Sequence, residues 1–136
     1  MKNISKPVLV ILFLALAGCT RTEAQSGAAA AAEYRKISPA QAHGIMAGLN
    51  SYTLLDVRTI EEYRESRIEG AVLIPDFELQ ARAEKELPDK NTVILLYCRS
   101  GRRSENVARL LLRLGYTNVY DFGGIIDWPY ETVSDL

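Results

Sequence analysis

The chain has 136 residues, 48% of them hydrophobic, with 16 Lys and Arg against 17 Asp and Glu, one His and two Cys. That length and apolar content suit one globular domain, and the near-balanced charge argues against a nucleic-acid surface. With a single histidine and no cysteine pair there is no zinc reading, the lone histidine reads as a surface or core-edge residue rather than as part of a triad, and no metal is expected.

Residues 1–18 read as an address, not as part of a fold. Lys2 and Lys6 form a basic start, and the apolar run from Val8 to Ala17 is too short to span a bilayer. Leu16-Ala17-Gly18-Cys19 resembles a bacterial lipobox, whose cysteine becomes the lipidated first residue of the mature protein; an ordinary secretory signal is the alternative. The expectation is a lipoprotein signal peptide over 1–18 and stable membrane anchoring through acyl chains on Cys19. Thr20 to Ala32 is rich in Ala, Ser, Gly and Thr with little to pack, so 19–33 is expected to be a flexible tether and 34–136 the domain. In Gram-negative sorting, Thr20 in place of Asp resembles an outer-membrane address, which gives the periplasmic face of that membrane as the expected location. Losing Lys2 and Lys6 with the leader turns 16 basic against 17 acidic side chains into 14 against 17. Lipidation of Cys19 also leaves Cys98 as the lone thiol. An exposed lone thiol in an oxidising compartment is a liability unless it has a use.

The elements of the domain follow in order. Ser38-Pro39-Ala40-Gln41 supplies a cap, a first-turn proline and a capping-box glutamine, and predicts a helix to Gly48 with His43 at its surface or the core edge. Tyr52 to Arg58 reads as a strand ending in charge. Thr59-Ile60-Glu61-Glu62 is a second capping box, opening a brief helix through Tyr63 and Arg64. Asp76 is placed to cap a helix through Leu79, Ala83 and Leu87 that Pro88-Asp89 stops. Thr92 to Tyr97 is short, apolar and β-branched at its start, as a central strand buried on both faces should be. Val107, Leu110, Leu111 and Leu114 recur at helical spacing before Gly115, and Asn118 to Phe122 reads as a last strand. This alternation predicts an α/β fold, a parallel sheet with helices on both faces.

Cys98 falls at the carboxyl end of the buried strand, where ligands bind in open α/β sheets. The turn from Arg99 to Gly101 aims successive N–H groups at one point, and the following helix N-terminus adds unpaired donors and a positive dipole end. With Arg99, Arg102 and Arg103 beside it, the thiolate should be favoured. Two plainer readings compete. A free cysteine is often a small buried hydrophobe, and an arginine-rich loop is often a solvated surface. Neither accounts for the order strand, cysteine, glycine, helix.

Cys98-Arg99-Ser100-Gly101-Arg102-Arg103-Ser104 resembles the C-x-x-G-x-R-S active-site loop of rhodanese-type sulfurtransferases, whose cysteine carries a sulfane sulfur as a persulfide. Further motifs fall in the same order. Asp56-Val57-Arg58 resembles the family's D-V-R, which braces the framework. Arg67-Ile68-Glu69-Gly70-Ala71-Val72-Leu73-Ile74-Pro75 is similar to its H-I-x-G-A-x-x-I-P strand, with Arg67 for the usual histidine and Glu69 for a common proline. Gly123-Gly124-Ile125-Ile126-Asp127-Trp128 is similar to its G-G-x-x-x-W ending, where glycines permit close approach and the tryptophan covers the core or lines a pocket. The resemblance runs over residues 34 to 131. It implies a single rhodanese-like domain in which Cys98 takes sulfur from a small anionic donor such as thiosulfate and passes it to a thiol, cyanide or protein acceptor. Arg99, Ser100, Gly101, Arg102, Arg103 and Ser104 would bind the donor, Asp56 and Arg58 would support the site, and no cofactor or nucleic acid takes part. The alternatives are a membrane-tethered persulfide carrier or binding module with little turnover, and a cysteine phosphatase. The phosphatase loop has C-x5-R spacing, whereas only four residues separate Cys98 from Arg103.

Overall fold

In a computed structural model that describes residues 34–136, five strands and four helices alternate along the chain. The expected leader, Cys19 and the tether lie outside the described residues. The strands are β1 (Arg35–Lys36), β2 (Thr53–Asp56), β3 (Val72–Leu73), β4 (Val93–Cys98) and β5 (Asn118–Gly124). The helices are α1 (Pro39–Gly48), α2 (Ile60–Glu65), α3 (Leu79–Glu86) and α4 (Arg102–Arg113), and a single 3-10 turn, Ile125–Asp127, follows β5. The pairings between these five strands are all parallel, in the order β1-β5-β4-β2-β3, so β4 is central and every strand ends at the same edge of the sheet.

Strand side chains alternate between two cores, as period-two geometry requires. Leu55, Val57, Ile94, Leu96, Cys98 and Val119 face Leu79 and Ala83 of α3 and Val107, Ala108 and Leu111 of α4. Leu54, Leu95, Tyr97 and Phe122 face the opposite way, onto Ala42, Ile45 and Met46 of α1, with Tyr63 of α2 and Trp128 packed beside them. The helices on both faces are therefore as the sequence predicts. A consequence follows for the site. β2 and β4 are neighbours, but α2 after β2 lies over one face and α4 after β4 over the other. The crevice between their ends is a topological switch point, where open sheets bind ligands.

Both capping boxes form: Ser38 with Gln41, and Thr59 with Glu62. Asp76 does not cap α3. Its backbone N–H is spent on Val57 O at 3.0 Å, and a turn closed by Glu78 N to Pro75 O at 2.9 Å delays the helix to Leu79, whose preceding Glu78 makes no side-chain cap. Of the stretch Arg67 to Pro75, only Val72–Leu73 is strand, because Gly70 turns the chain at φ +80° and Arg67 instead bridges antiparallel to Val133. Arg67 also pairs with Asp135 at 2.8 Å, so it makes polar contacts of its own. β1 was not foreseen, and β5 continues two residues past Phe122.

Candidate active site

Cys98 ends β4 next to Gly124, after a register shift between Leu96 and Cys98. Its thiol is free and only 1% of the residue is exposed. The chain then turns through Arg99 and Ser100 to Gly101, which stands at the α4 N-cap with φ 101° and no capping side chain. A positive φ is a glycine conformation, and here it points the Gly101 N–H at Cys98 Sγ, 3.0 Å away. The first intrahelical bond is Glu105 N to Gly101 O at 3.1 Å, so the N–H groups of Arg102, Arg103 and Ser104 precede the helical ladder.

Burial pushes the Cys98 thiol pKa up. Hydrogen bonds from the Ser104 N–H and hydroxyl and from the Gly101 and Ser100 N–H groups more than offset it, leaving the thiol below its ordinary value. The Ser104 hydroxyl also lies 3.0 Å from Gly101 O and 3.3 Å from Gly123 O. It has one proton to give, and the shorter contact is to Gly101 O, so the backbone donors are the dependable part of the array.

The end of β5 forms the floor of this loop. A Cβ on Gly124 would stand 2.3 Å from Arg99 O and 2.6 Å from Ser100 Cα, so only glycine fits. Ile126 N donates to Arg99 O at 3.3 Å from the turn that follows. Trp128 is half-buried with its ring centroid 5.5 Å from that of Phe122, the core-covering position rather than a place beside the sulfur. His43 is exposed and stacks on Tyr130 at 3.9 Å between centroids, which is a surface role.

The three arginines of the loop separate. Arg103 is engaged by Glu62 of α2 through two bonds, Nη1 to Oε2 at 2.9 Å and Nη2 to Oε1 at 2.7 Å. Arg103 holds the Glu62 carboxyl well below its usual range, at about 2. Arg99 and Arg102 are exposed and have no ion-pair partner among the described residues. One strand away, Arg58 grips Asp56 by Nε to Oδ1 at 2.9 Å and Nη2 to Oδ2 at 2.6 Å, both residues being buried. Arg58 Nη2 also donates to Ser66 O at 2.7 Å and lies over the Tyr97 ring, so this pair ties β2, β4 and the end of α2 together. Sequence reasoning missed Glu62 as the partner of Arg103. The capping-box pattern marked the residue, but its second role depends on a contact 41 positions away.

Fold and site together define an α/β protein with a buried cysteine at the mouth of a strand–loop–helix anion cradle. The chain belongs to the rhodanese-like domain family, whose model matches residues 38–129. It is 38% identical over 73 residues to the thiosulfate sulfurtransferase PspE of Escherichia coli, covering 54% of this chain and 70% of that protein. It is 32% identical over 104 residues to the thiosulfate sulfurtransferase GlpE of Coxiella burnetii, covering 75% and 94%. A solved structure of a rhodanese with anions from E. coli superposes with a TM-score of 0.56 at 34% identity, covering 62% of this chain and 99% of that one.

Proposed function

We propose that this protein is a sulfurtransferase that carries sulfur on Cys98. The observation that supports this reading is the convergence of the Gly101, Ser100 and Ser104 donors on a buried sulfur whose thiol pKa they lower. In the first half-reaction the Cys98 thiolate attacks the outer sulfur of an anionic donor such as thiosulfate. A new S–S bond forms, the donor's own S–S bond breaks, and sulfite leaves with the electron pair. The persulfide anion then occupies the N–H array, which neutralises charge without a proton. In the second half-reaction a nucleophile attacks the terminal sulfur and the Cys98 thiolate departs. Arg99 and Arg102, exposed beside the loop, supply the field that draws in the donor. Lipidation at Cys19 would hold the domain at a membrane surface.

Arg103 bears on the phosphatase alternative. It falls one residue short of the C-x5-R spacing, and its guanidinium is engaged by Glu62 as well, so two separate features count against a ring closed around phosphate. Intact mass of the soluble domain, with and without thiosulfate, tests the proposal. A gain of one sulfur atom, absent in Cys98→Ser, is expected; no gain in a folded, reduced protein would overturn thiosulfate as donor. Membrane fractionation tests the anchor, since Cys19→Ser should move the protein to the soluble fraction.

A further inference from the structure

Asp121 is fully buried, yet no lysine or arginine pairs with it among the described residues. Each carboxylate oxygen accepts one bond from a neutral donor: Oδ2 from the Tyr34 hydroxyl at 2.9 Å and Oδ1 from the Gly123 N–H at 2.9 Å. Val119, two residues earlier on the same face of β5, is apolar. A carboxylate in the interior is costly when only neutral groups satisfy it. Its location suggests what it does there.

The Gly123 N–H to Asp121 bond spans the bend at the end of β5 where, between the Leu96↔Asp121 and Cys98↔Gly124 pairings, β5 runs one residue longer than β4, and it accompanies the positive φ of Gly123, +90°. From that bend the floor touches the loop at four residues. Gly123 O lies 3.3 Å from the Ser104 hydroxyl, Gly123 Cα lies 3.4 Å from where a Gly101 Cβ would stand, and Gly124 packs on Arg99 and Ser100. Of these four residues, Gly101 donates to Cys98 Sγ at 3.0 Å, and Ser100 and Ser104 help hold its thiol pKa down. Resting on the reading of Cys98 as the reactive sulfur, we propose that Asp121 is a positioning residue, whose acceptor oxygen sets the Gly123-Gly124 floor and through it the N–H array on Cys98.

Other charges around the pair are accounted for. Tyr34 comes from the start of the described chain beside β1, and Arg109 lies over its ring at 5.3 Å while pairing with Glu105 at 2.9 Å, both from α4. Lys36 of β1 reaches Glu105 at 3.9 Å. Near the sulfur, Arg103 pairs with Glu62 at 2.7 Å, and Asp76 after β3 lies within electrostatic reach of Arg103. None of these cations reaches Asp121, so a change there separates placement from charge.

The test is the pH profile of Cys98 alkylation by iodoacetamide, which needs no sulfur donor and so stays informative even if the sulfur-transfer reading fails. Asp121→Asn keeps an oxygen for the Gly123 N–H and removes the charge; Asp121→Glu keeps the charge and misplaces the oxygen by one methylene; Asp121→Ala removes both. Placement predicts that Asn reacts within about twofold of native at pH 6, while Glu and Ala react about tenfold more slowly as the thiol pKa rises. If Ala fails to fold, the Asn and Glu pair still decides. Native rates in Glu with slow rates in Asn would make charge the property that matters and overturn the proposal. Native rates in every folded variant would leave Asp121 as an anchor for Tyr34 and overturn it as well. Tyr34→Phe, which removes only that anchor, is expected to alkylate at the native rate.

Discussion

β2 and β4 run side by side, paired from Thr53↔Ile94 to Asp56↔Tyr97, and each passes the chain to a helix at the same edge of the sheet. The two junctions use their polar groups in opposite ways. After β2, Thr59 and Glu62 cap α2 reciprocally, and the charges of Asp56 and Arg58 are spent on each other inside the core. After β4, Gly101 caps α4 with no side chain, and the freed N–H groups turn toward the sulfur. The closed junction is framework and the open one is the proposed site. What separates them is whether the helix's orphan donors are satisfied from within.

The largest effect is expected where the closed junction is broken. Asp56→Ala leaves the Arg58 guanidinium buried without its partner, and should destabilise the fold by about 3–5 kcal/mol. Urea unfolding monitored at Trp128 measures this, and a loss under about 1 kcal/mol would mean that the pair is not the brace described. Gly124→Ala strikes the open junction from below. Its φ of −113° suits any residue, so the cost is steric: the new methyl meets the Arg99 carbonyl and should destabilise by about 1–3 kcal/mol while displacing the loop. The same unfolding experiment, with Cys98 alkylation alongside, should show both losses together.

How much of this was legible beforehand follows the range of the interactions. Capping boxes, the buried run before Cys98 and the glycine stop at Gly115 are local patterns, and the structure forms all of them. The Cys98 loop was legible because strand, cysteine, glycine and arginines are contiguous. β1 was not, because Arg35–Lys36 is exposed and is a strand only through pairing with Tyr120 and Asp121. The cap assigned to Asp76 failed for a related reason, since a backbone bond to Val57 extends the β2–β3 pairing past the point where local preference would start a helix. Asp121 reads as an ordinary strand-end residue until Tyr34, Gly123 and the loop above it are assembled.

Glu62 links the two junctions, capping α2 while holding Arg103 of α4, and its removal has an intermediate effect. Glu62→Gln should lose about 1–2 kcal/mol at neutral pH. The pH dependence has a definite sign. A carboxyl at about 2 when folded, against 4.5 ordinarily, contributes stability that is complete above pH 4.5 and is lost as pH falls toward 2. The native protein and Glu62→Gln should therefore converge in stability across that window. Unfolding curves at pH 7, 4 and 2.5 check this, and a difference that stays constant with pH would remove the ion pair as its cause.

The smallest effect on the fold is expected at the exposed arginines of the open junction, and there it isolates what the open junction does. Arg99 and Arg102 make no ion pair among the described residues, so replacing both with Ala should change stability by no more than about 0.5 kcal/mol. If the donor is a dianion such as thiosulfate, as proposed, their field would aid its capture, so sulfur uptake from thiosulfate should slow several-fold at low ionic strength. The deficit should shrink as salt rises toward about 0.15 M, where charges more than about 8 Å apart are screened. Alkylation by neutral iodoacetamide is the control, because it reports the thiolate and its N–H array without the donor's charge. Loss of thiosulfate uptake with unchanged alkylation assigns steering to the arginines and thiolate stabilisation to the backbone. Equal loss with both reagents would mean that the arginines help hold the loop itself, and the backbone could no longer be credited alone with activating Cys98.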